Sequence, residues 1–377
     1  MKRVLFCLKM PKGTYVGGVA TIIHHYFDNR DIFEKYEYGI ELFDYAMSDR
    51  FKKLPSRFRE LAYGILQKRN LRRYLRQESA DIVHIHTSRE WLFLKDVLLA
   101  KKISQKHGVK TVLTVHVGDV NTVFRRIHWL QNFLIKALNK HVEKTIFLSK
   151  AIQQQFIDLG VDKAKTEVLY NPHYMQPISD QEMLPRSAKL HLLYVGALHR
   201  EKGLMELLRA LDELPQVEFH LDICGLHTDP SIMREFEEYI ERLGDKVAVH
   251  GYVSGSTKTA FFERADVLLL PSYHEGMPLV VLEALASACA IVSTKVGTTP
   301  EILSDENVLW VDIGSSDDIK IAVETLYQNH DLLVDIKKNN LLLSQKYDIE
   351  THIKNLCEIY ESVTNEHEED NRTTGKN

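Results

Sequence analysis

Two carboxylates separated by seven residues stand in the segment Pro271–Leu303, PSYHEGMPLVVLEALASACAIVSTKVGTTPEIL, and their surroundings suit a charged, hydroxylated ligand. Leu268–Leu270 reads as a buried strand ending at Pro271, and the loop after it carries His274, Glu275 and Gly276. Pro278 suits the first position of a helix. The stretch Val280–Ala288 is apolar nearly all round, so its helix belongs in the interior. The N-terminus of that helix falls at the carboxyl end of a strand, where open α/β sheets bind ligands. The free amides of Leu279 and Val280, with the helix dipole, make an anion site next to Gly276 and Met277. Glu283 lies about five residues past Pro278, roughly 7–8 Å along the axis, with its Cα–Cβ vector tilted back toward the N-terminus. A carboxylate buried there without a partner is costly. A ribose would supply hydroxyl partners, and Glu275 is placed to hold a second hydroxylated group. Phosphate flanked by two polyols describes a sugar nucleotide. The alternative is that Glu275 is a solvated loop residue and Glu283 a paired core carboxylate.

A second segment carries cations. LLYVGALHREKG, Leu192–Gly203, reads as a strand, a tight turn at Gly196 and a loop with Arg200 and Lys202 that opens a helix near Leu204. Lysine neutralises a diphosphate as a point charge. No Lys-Ser or Lys-Thr follows a glycine-rich loop, so this is not a Walker A motif. A solvated charged loop is the alternative. Toward the N-terminus, TYVGGVAT places Gly17 and Gly18 between a strand and a helix, where glycine lets the backbone approach a ligand or merely makes a turn. DIVHIHTS puts His84 and His86 on one strand face, at least one of them structural. The strand beginning at Thr111 ends at His116 in TVHVGD, which alone reads as a satisfied core or loop histidine.

The elements that hold these residues alternate between strand and helix. Val4–Leu8, Ile82–His86, Thr111–Val115, Thr145–Leu148 and Glu167–Tyr170 are short apolar runs separated by amphipathic stretches such as Val19–Phe27 and Trp91–Gln105. The plan restarts with Leu190–Val195, Glu218–Cys224, Val247–His250, Val267–Leu270 and Ala290–Thr294. This is the pattern of βα units around parallel sheets. We expect an α/β chain of two domains: residues 1–173, a linker over 174–188 containing Pro177, and residues 189–348. A helix over 349–363 and a disordered polar tail over 364–377 follow. The helix has apolar spacing at Ile349, Ile353, Leu356, Cys357 and Tyr360 and is expected to pack on the first domain.

Charge divides with the domains. Residues 1–173 hold 30 Lys and Arg against 17 Asp and Glu, and the remainder 18 against 35. Nine cations between Arg50 and Gln77 (Lys52, Lys53, Arg57, Arg59, Lys68, Arg69, Arg72, Arg73 and Arg76) face Glu60 alone, interleaved with apolar residues. Arg125–Lys144 sets Trp129, Leu130, Phe133 and Leu134 beside Arg125, Arg126, Lys136 and Lys140. Basic amphipathic helices of this kind bind anionic bilayers; the alternative is ordinary solvated helices packed on the sheet. No nucleic-acid-binding motif is present. Four scattered cysteines without a CxxC pair read as reduced thiols. Only five apolar residues, Val4–Leu8, follow the N-terminal charges, short of the about 7–15 of a leader. No uncharged apolar run reaches the roughly 18–20 residues of a spanning helix. The expectation is a cytoplasmic protein, peripheral on the inner face of the plasma membrane.

The segment EGMPLVVLE, followed by Gly297 and Glu301, resembles the family-4 retaining glycosyltransferases of the GT-B fold, whose hallmark is this pair of glutamates. The resemblance spans nearly the whole chain and is strongest from His191 to Leu303. It implies two Rossmann-like domains with parallel sheets, an interdomain cleft that closes on the donor, and His116 and Glu275 as catalytic residues. It also implies donor contacts by Gly17, Gly18, Gly196, Arg200, Lys202, Val253, Glu275, Gly276, Met277, Pro278, Leu279, Val280 and Glu283. The family usually has Arg directly after the glycine of the cationic loop, where this chain has Ala197. Asn171-Pro172 resembles the turn at which the family leaves its first domain. The implied reaction transfers a sugar, with retention, from a nucleoside diphosphate sugar such as a UDP-sugar to a glycan or polyprenyl-linked acceptor in cell-surface polysaccharide synthesis. No Asp-x-Asp occurs anywhere in the chain, so no metal and no cofactor beyond the donor are expected. A non-hydrolysing UDP-sugar epimerase and a catalytically silent sugar-nucleotide-binding subunit are the rival readings.

Overall fold

The computed structural model describes residues 1–8, 18–44, 70–71, 73–75, 79–88, 90–107, 109–175 and 189–374. Gly17, most of the basic stretch Arg50–Gln77, residues 176–188 of the expected linker and the last three residues lie outside them. The chain divides into two units, Met1–Asn171 with Ile349–Asn377, and Pro172–Asp348.

The first unit is built on a six-stranded parallel sheet in the order β2-β1-β3-β4-β5-β6. Its strands are β1 Lys2–Leu8, β2 Tyr38–Asp44, β3 Ile82–Thr87, β4 Lys110–Val115, β5 Lys144–Phe147 and β6 Thr166–Val168. The second carries β7 Leu190–Val195, β8 Phe219–Cys224, β9 Val247–Gly251, β10 Val267–Leu270, β11 Ala290–Thr294 and β12 Val308–Val311, in the order β12-β11-β10-β7-β8-β9. Parallel strands are covered by helices on both faces, so central ones read as unbroken apolar runs; every residue of β3, β5, β10 and β11 is buried. The edge strands β2 and β12 are only partly buried, and their mixed composition hid them from a search for apolar runs.

Each sheet reverses its winding once. In the first unit the chain leaves β1 for β2 on one side and β3 on the other; in the second it leaves β7 for β8 and later returns to β10. The carboxyl ends of β1 and β3, and of β7 and β10, are therefore the switch points at which such sheets form a crevice.

The helix Ile349–Thr374 belongs to the first unit. Ile353, Leu356, Cys357, Tyr360 and Val363 are buried there. The Tyr360 hydroxyl is hydrogen-bonded to His84 Nδ1 (2.6 Å), His352 Nε2 to the Tyr26 hydroxyl (2.6 Å), and Lys2 Nζ donates to Thr364 Oγ1 (2.7 Å). The helix continues over 364–374, where the sequence reading had disorder. A helix already nucleated by a packed face extends at little cost through polar residues that could not start one. A second correction concerns Pro278, which is the N-cap (ψ 112°) and not the first helical residue, so the helix runs Leu279–Ala286. It stops short of Ala288 because that residue is left-handed (φ 47°) and the Cys289 amide reaches back to the Ala284 carbonyl at 2.9 Å. All four cysteines are buried and none forms a disulfide.

Tyr360 is fully buried and holds His84. Tyr360→Ala is expected to destabilise the first unit by about 3–5 kcal/mol. Hydrogen exchange should show faster opening of β1–β6 amides and an unchanged second unit; equal protection in both units would refute the assignment.

Candidate active site

The loops at the carboxyl ends of β7, β10 and β11 are tied to one another. After β7 the chain turns through Arg200–Lys202, where the His199 ring accepts the Glu201 amide at 3.1 Å. Gly203 follows at φ 67°, and a Cβ there would lie 2.0 Å from the Pro271 carbonyl oxygen. The Tyr273 amide donates to the Glu201 carbonyl at 2.9 Å. On the other side Thr294 Oγ1 donates to the Ser272 carbonyl (2.6 Å) and the Thr298 amide to that of Gly276 (2.9 Å). Gly297, at φ 57°, leaves room for a Cβ only 2.4 Å from Gly276 O and 2.5 Å from Glu275 O. Glycine is required at both places by backbone sign and by close approach.

This scaffold fixes both glutamates. Glu275 Oε1 accepts from Lys202 Nζ and from Ser272 Oγ, each at 2.7 Å. Glu283 is buried, and Lys258 Nζ lies 2.7 Å from its Oε1 and 2.6 Å from its Oε2. Lys258 comes from the first turn of the helix Gly255–Arg264, which follows β9. A carboxylate inside an apolar helix needs a partner, for which the sequence leaves two options, ribose hydroxyls or a protein group; in the structure Lys258 fills that place. Only knowledge of which helix packs beside Glu283 would have revealed Lys258. Tyr174, close by, has its hydroxyl pKa pushed up by burial and then by the Glu283 charge.

The remaining candidates of this unit are distributed around the same edge. Leu279 and Val280 are half-buried in the first turn of their helix, which has no side-chain cap. Gly276, Met277 and Pro278 lead into it, and Val253 is half-buried in the turn between β9 and Gly255. Gly196 crosses Gly225 so closely that a Cβ on the latter would lie 1.7 Å from the Gly196 oxygen. The Ala197 carbonyl accepts from the Tyr194 hydroxyl at 2.8 Å. Arg200 is half-exposed, its guanidinium 3.5 Å from Glu235.

In the first unit Gly18 opens the helix Gly18–Asp28 after β1. His84 is saturated, bonded to Tyr360 and, through Nε2, to Thr114 Oγ1 at 2.7 Å, and is structural. His86 Nδ1 is 2.8 Å from His116 Nε2, with the two rings stacked at 5.1 Å. His86 Nε2 is buried and has no hydrogen-bond partner among the described residues. The pair lines a small cavity with Tyr26, Thr114, Asn171 and His352. Burial pushes His116 down to about 4 and His84 to about 3, and carries His86 well below the usual value. All three are neutral at pH 7, so one nitrogen of the His86–His116 contact donates and the other accepts, and Nδ1 of His116 is left outside that bond.

Residues 176–341 match the family described as glycosyl transferases group 1, and residues 29–173 match glycosyltransferase family 4. An uncharacterised glycosyltransferase of Methanocaldococcus jannaschii is 30% identical over 308 residues, 74% of this chain and 75% of its own. The chain belongs to the family-4 glycosyltransferases. Another relative, the alpha-galactosylglucosyldiacylglycerol synthase of Streptococcus pneumoniae, is 22% identical over 298 residues, covering 75% of this chain and 77% of its own. Two solved structures share the fold: sucrose-phosphate synthase from Thermosynechococcus elongatus (TM-score 0.74, 16% identity, 96% and 99% of the chains covered) and Anabaena HepE in complex with UDP (0.73, 17%, 96% and 100%). This family-4 glycosyltransferase is thus a transferase enzyme of GT-B fold, with two six-stranded parallel sheets.

Gly297→Ala in this glycosyltransferase forces an L-residue into the left-handed region at about 1–2 kcal/mol and pushes its Cβ onto the loop of Glu275. Steady-state assays are expected to show transfer lowered at least about tenfold, since small misplacements at a site are amplified in rate, while the fold persists; full activity would show that the loop contact is dispensable. A pH prediction follows from the histidines. Their folded-state values lie below the unfolded value of about 6.5, so the unfolded chain takes up protons first as pH falls. Stability is held above pH 6.5 and lost below it, His84 and His86 each contributing up to about 1.4 kcal/mol per pH unit. Exchange protection of the first unit should fall between pH 7 and pH 5; an unchanged value would contradict the neutral, buried assignment.

Proposed function

We propose that the enzyme takes its sugar from a nucleoside diphosphate sugar, with UDP as carrier, and delivers it with retention of anomeric configuration to a glycan or lipid-linked acceptor in cell-surface polysaccharide synthesis. The observation that carries this reading is the arrangement of Glu275 with Lys202, and Glu283 with Lys258, at the carboxyl edge of the second sheet. In this reading Glu275 accepts hydroxyls of the sugar and Glu283 those of the ribose. Lys202 and the amides of Leu279 and Val280 face the diphosphate. Anabaena HepE has been solved with UDP and with UDP-glucose, which supports the donor class, and the glycolipid synthase of Streptococcus pneumoniae supports the acceptor class.

The bond between the anomeric carbon and the diphosphate oxygen breaks, leaving positive charge on the sugar and negative charge on the leaving group. Lys202 and the helix amides offset the latter. The acceptor oxygen bonds to the anomeric carbon on the face the diphosphate leaves, and its proton passes to the departing phosphate oxygen. His116, neutral at pH 7, hydrogen-bonds a sugar or acceptor hydroxyl through Nδ1. Lysine and backbone amides supply the positive charge, so the reading needs no divalent ion. The enzyme works at the cytoplasmic face of the membrane.

Thermal-shift measurements should show a rise in the unfolding midpoint with UDP and one UDP-sugar, because a ligand of the native state stabilises it. Glu275→Gln and Glu283→Gln are expected to lower transfer about 10²–10³-fold, the range for a lost charge-stabilising contact, and excess EDTA to leave it unchanged. Wild-type rates in both folded variants would overturn the donor assignment, and strict dependence on magnesium or manganese the metal-free one.

A further inference from the structure

We infer that the outer face formed by Trp91, Leu92, the turn at Arg125–Leu130 and the helix Gln131–His141 docks on an anionic bilayer, Trp129 and Phe133 entering the headgroup layer. This deepens the membrane part of the proposed function by naming the surface and its anchors.

The argument begins with what folding leaves uncovered. Among the described residues of the first unit the large exposed apolar side chains are Met1, Leu42, Trp91, Leu92, Trp129 and Phe133; Trp129 is 69% exposed, Trp91 48% and Phe133 45%. Leu134, Ile135 and Leu138 on the same helix are buried, so that helix already has its core face, and Phe133 and Trp129 stand outside it. Four of the six lie on helix Trp91–His107 or on the turn and helix that follow Arg125 and pack against it. The Glu90 amide donates to the Val123 carbonyl at 3.0 Å, which places Trp91 and Leu92 beside the Arg125 turn. Helix Gln131–His141 packs on helix Trp91–His107, with Lys101 5.4 Å from the Phe133 ring centre.

The charge around these anchors has one sign. Val120–Val142 contains no Asp or Glu, and Arg125, Arg126, Lys136 and Lys140 are exposed on it. Glu90, the carboxylate nearest the turn, is largely covered and faces both arginines, at 3.3 and 3.6 Å. Tryptophan has an apolar body and a donor N–H that suit the boundary between headgroups and acyl chains, and juxtaposed arginines suit lipid phosphates. Single-stranded bases would match the charge and stack on the aromatic rings, but the aliphatic Leu92 next to Trp91 suits acyl chains and not bases. No described helix is long and apolar enough to cross a membrane, so the attachment is to the surface.

The test uses the full chain and co-sedimentation with phosphatidylcholine vesicles, with and without phosphatidylglycerol. Binding is expected only with phosphatidylglycerol, to weaken with salt, and to fall at least about tenfold in Trp129→Ser/Phe133→Ser, which removes the apolar anchors. Arg125→Gln/Arg126→Gln should bind more weakly and with less salt dependence. Brominated acyl chains should quench tryptophan fluorescence of the wild type and much less that of Trp129→Ser. Unaltered binding in the Trp129/Phe133 variant, equal binding to neutral vesicles, no binding to either, or displacement of the protein from vesicles by inorganic phosphate alone would overturn the inference. So would duplex DNA or RNA bound with the same sensitivity to Trp129→Ser. Transfer to a soluble glycan acceptor should be unchanged in Trp129→Ser/Phe133→Ser. An enzyme that binds vesicles as described but transfers no sugar would sink the donor reading and leave this surface standing.

Discussion

A carboxylate sunk into an apolar helix must be answered by a cation or by hydrogen-bond donors, and the organisation of the second unit follows from how Glu283 is answered. Lys258 Nζ donates to its Oε1 and lies 2.6 Å from its Oε2. That requires the helix Gly255–Arg264 to lie beside Leu279–Ala286, two helices that both begin at the carboxyl edge of the sheet, after β9 and β10. The second pair, Lys202 with Glu275, spans the switch point between β7 and β10. Neither pair is a surface ion pair of negligible worth, since Glu275 also accepts Ser272 and Glu283 is buried. The two carboxylates are therefore held in place by the protein's own side chains before any ligand arrives.

Much of this was legible because α/β proteins write their function at strand ends. The run VLLLPSYHEGMP announces a buried strand, a loop and a helix start in twelve residues, and the strand–loop–helix order fixes on which edge the loop lies. The glycines of Lys202-Gly203 and Gly297 were visible as motif members, while their reason was not. Each is forced by a backbone oxygen from a loop remote in sequence, Pro271 in one case and Glu275 and Gly276 in the other. The partner of Glu283 was hidden for the same cause, and so was the contact of the half-exposed Arg200 with Glu235. Local pattern gives elements and ends; which helix neighbours which is decided by winding order.

The histidines show the limit more sharply. His84 and His86 alternate on β3 and point to the same face, which period-2 geometry anticipates. Their fates diverge because of partners that arrive from elsewhere: Tyr360 from the C-terminal helix and Thr114 from β4 saturate His84, while His116, just past β4, takes only one nitrogen of His86. Three imidazoles in so small a volume are tolerable only uncharged, and burial keeps them so. The return of the chain at Ile349 thus completes the interior of the first unit and determines which histidine is left with hydrogen-bonding capacity.

Net charge and local charge do different work in this molecule. Residues 174–348 hold 15 Lys and Arg against 28 Asp and Glu, an unpromising total for a unit read as binding a diphosphate. A net charge is felt at long range and is screened within about 10 Å at moderate salt, whereas a phosphate in a crevice responds to the few groups within a few ångströms. The groups nearest that edge are the pairs Lys202–Glu275 and Lys258–Glu283, which cancel in charge, and the helix start at Leu279–Val280, while carboxylates such as those of Met233–Leu243 lie on other helices. The excess of basic residues in the first 173 has the opposite character. It is carried partly on an exposed face with aromatic side chains, where a broad charged surface is what counts. An overall acidic charge on the second unit is therefore no obstacle to the proposed donor site, which would depend on contact, while a basic face on the first would act through its field.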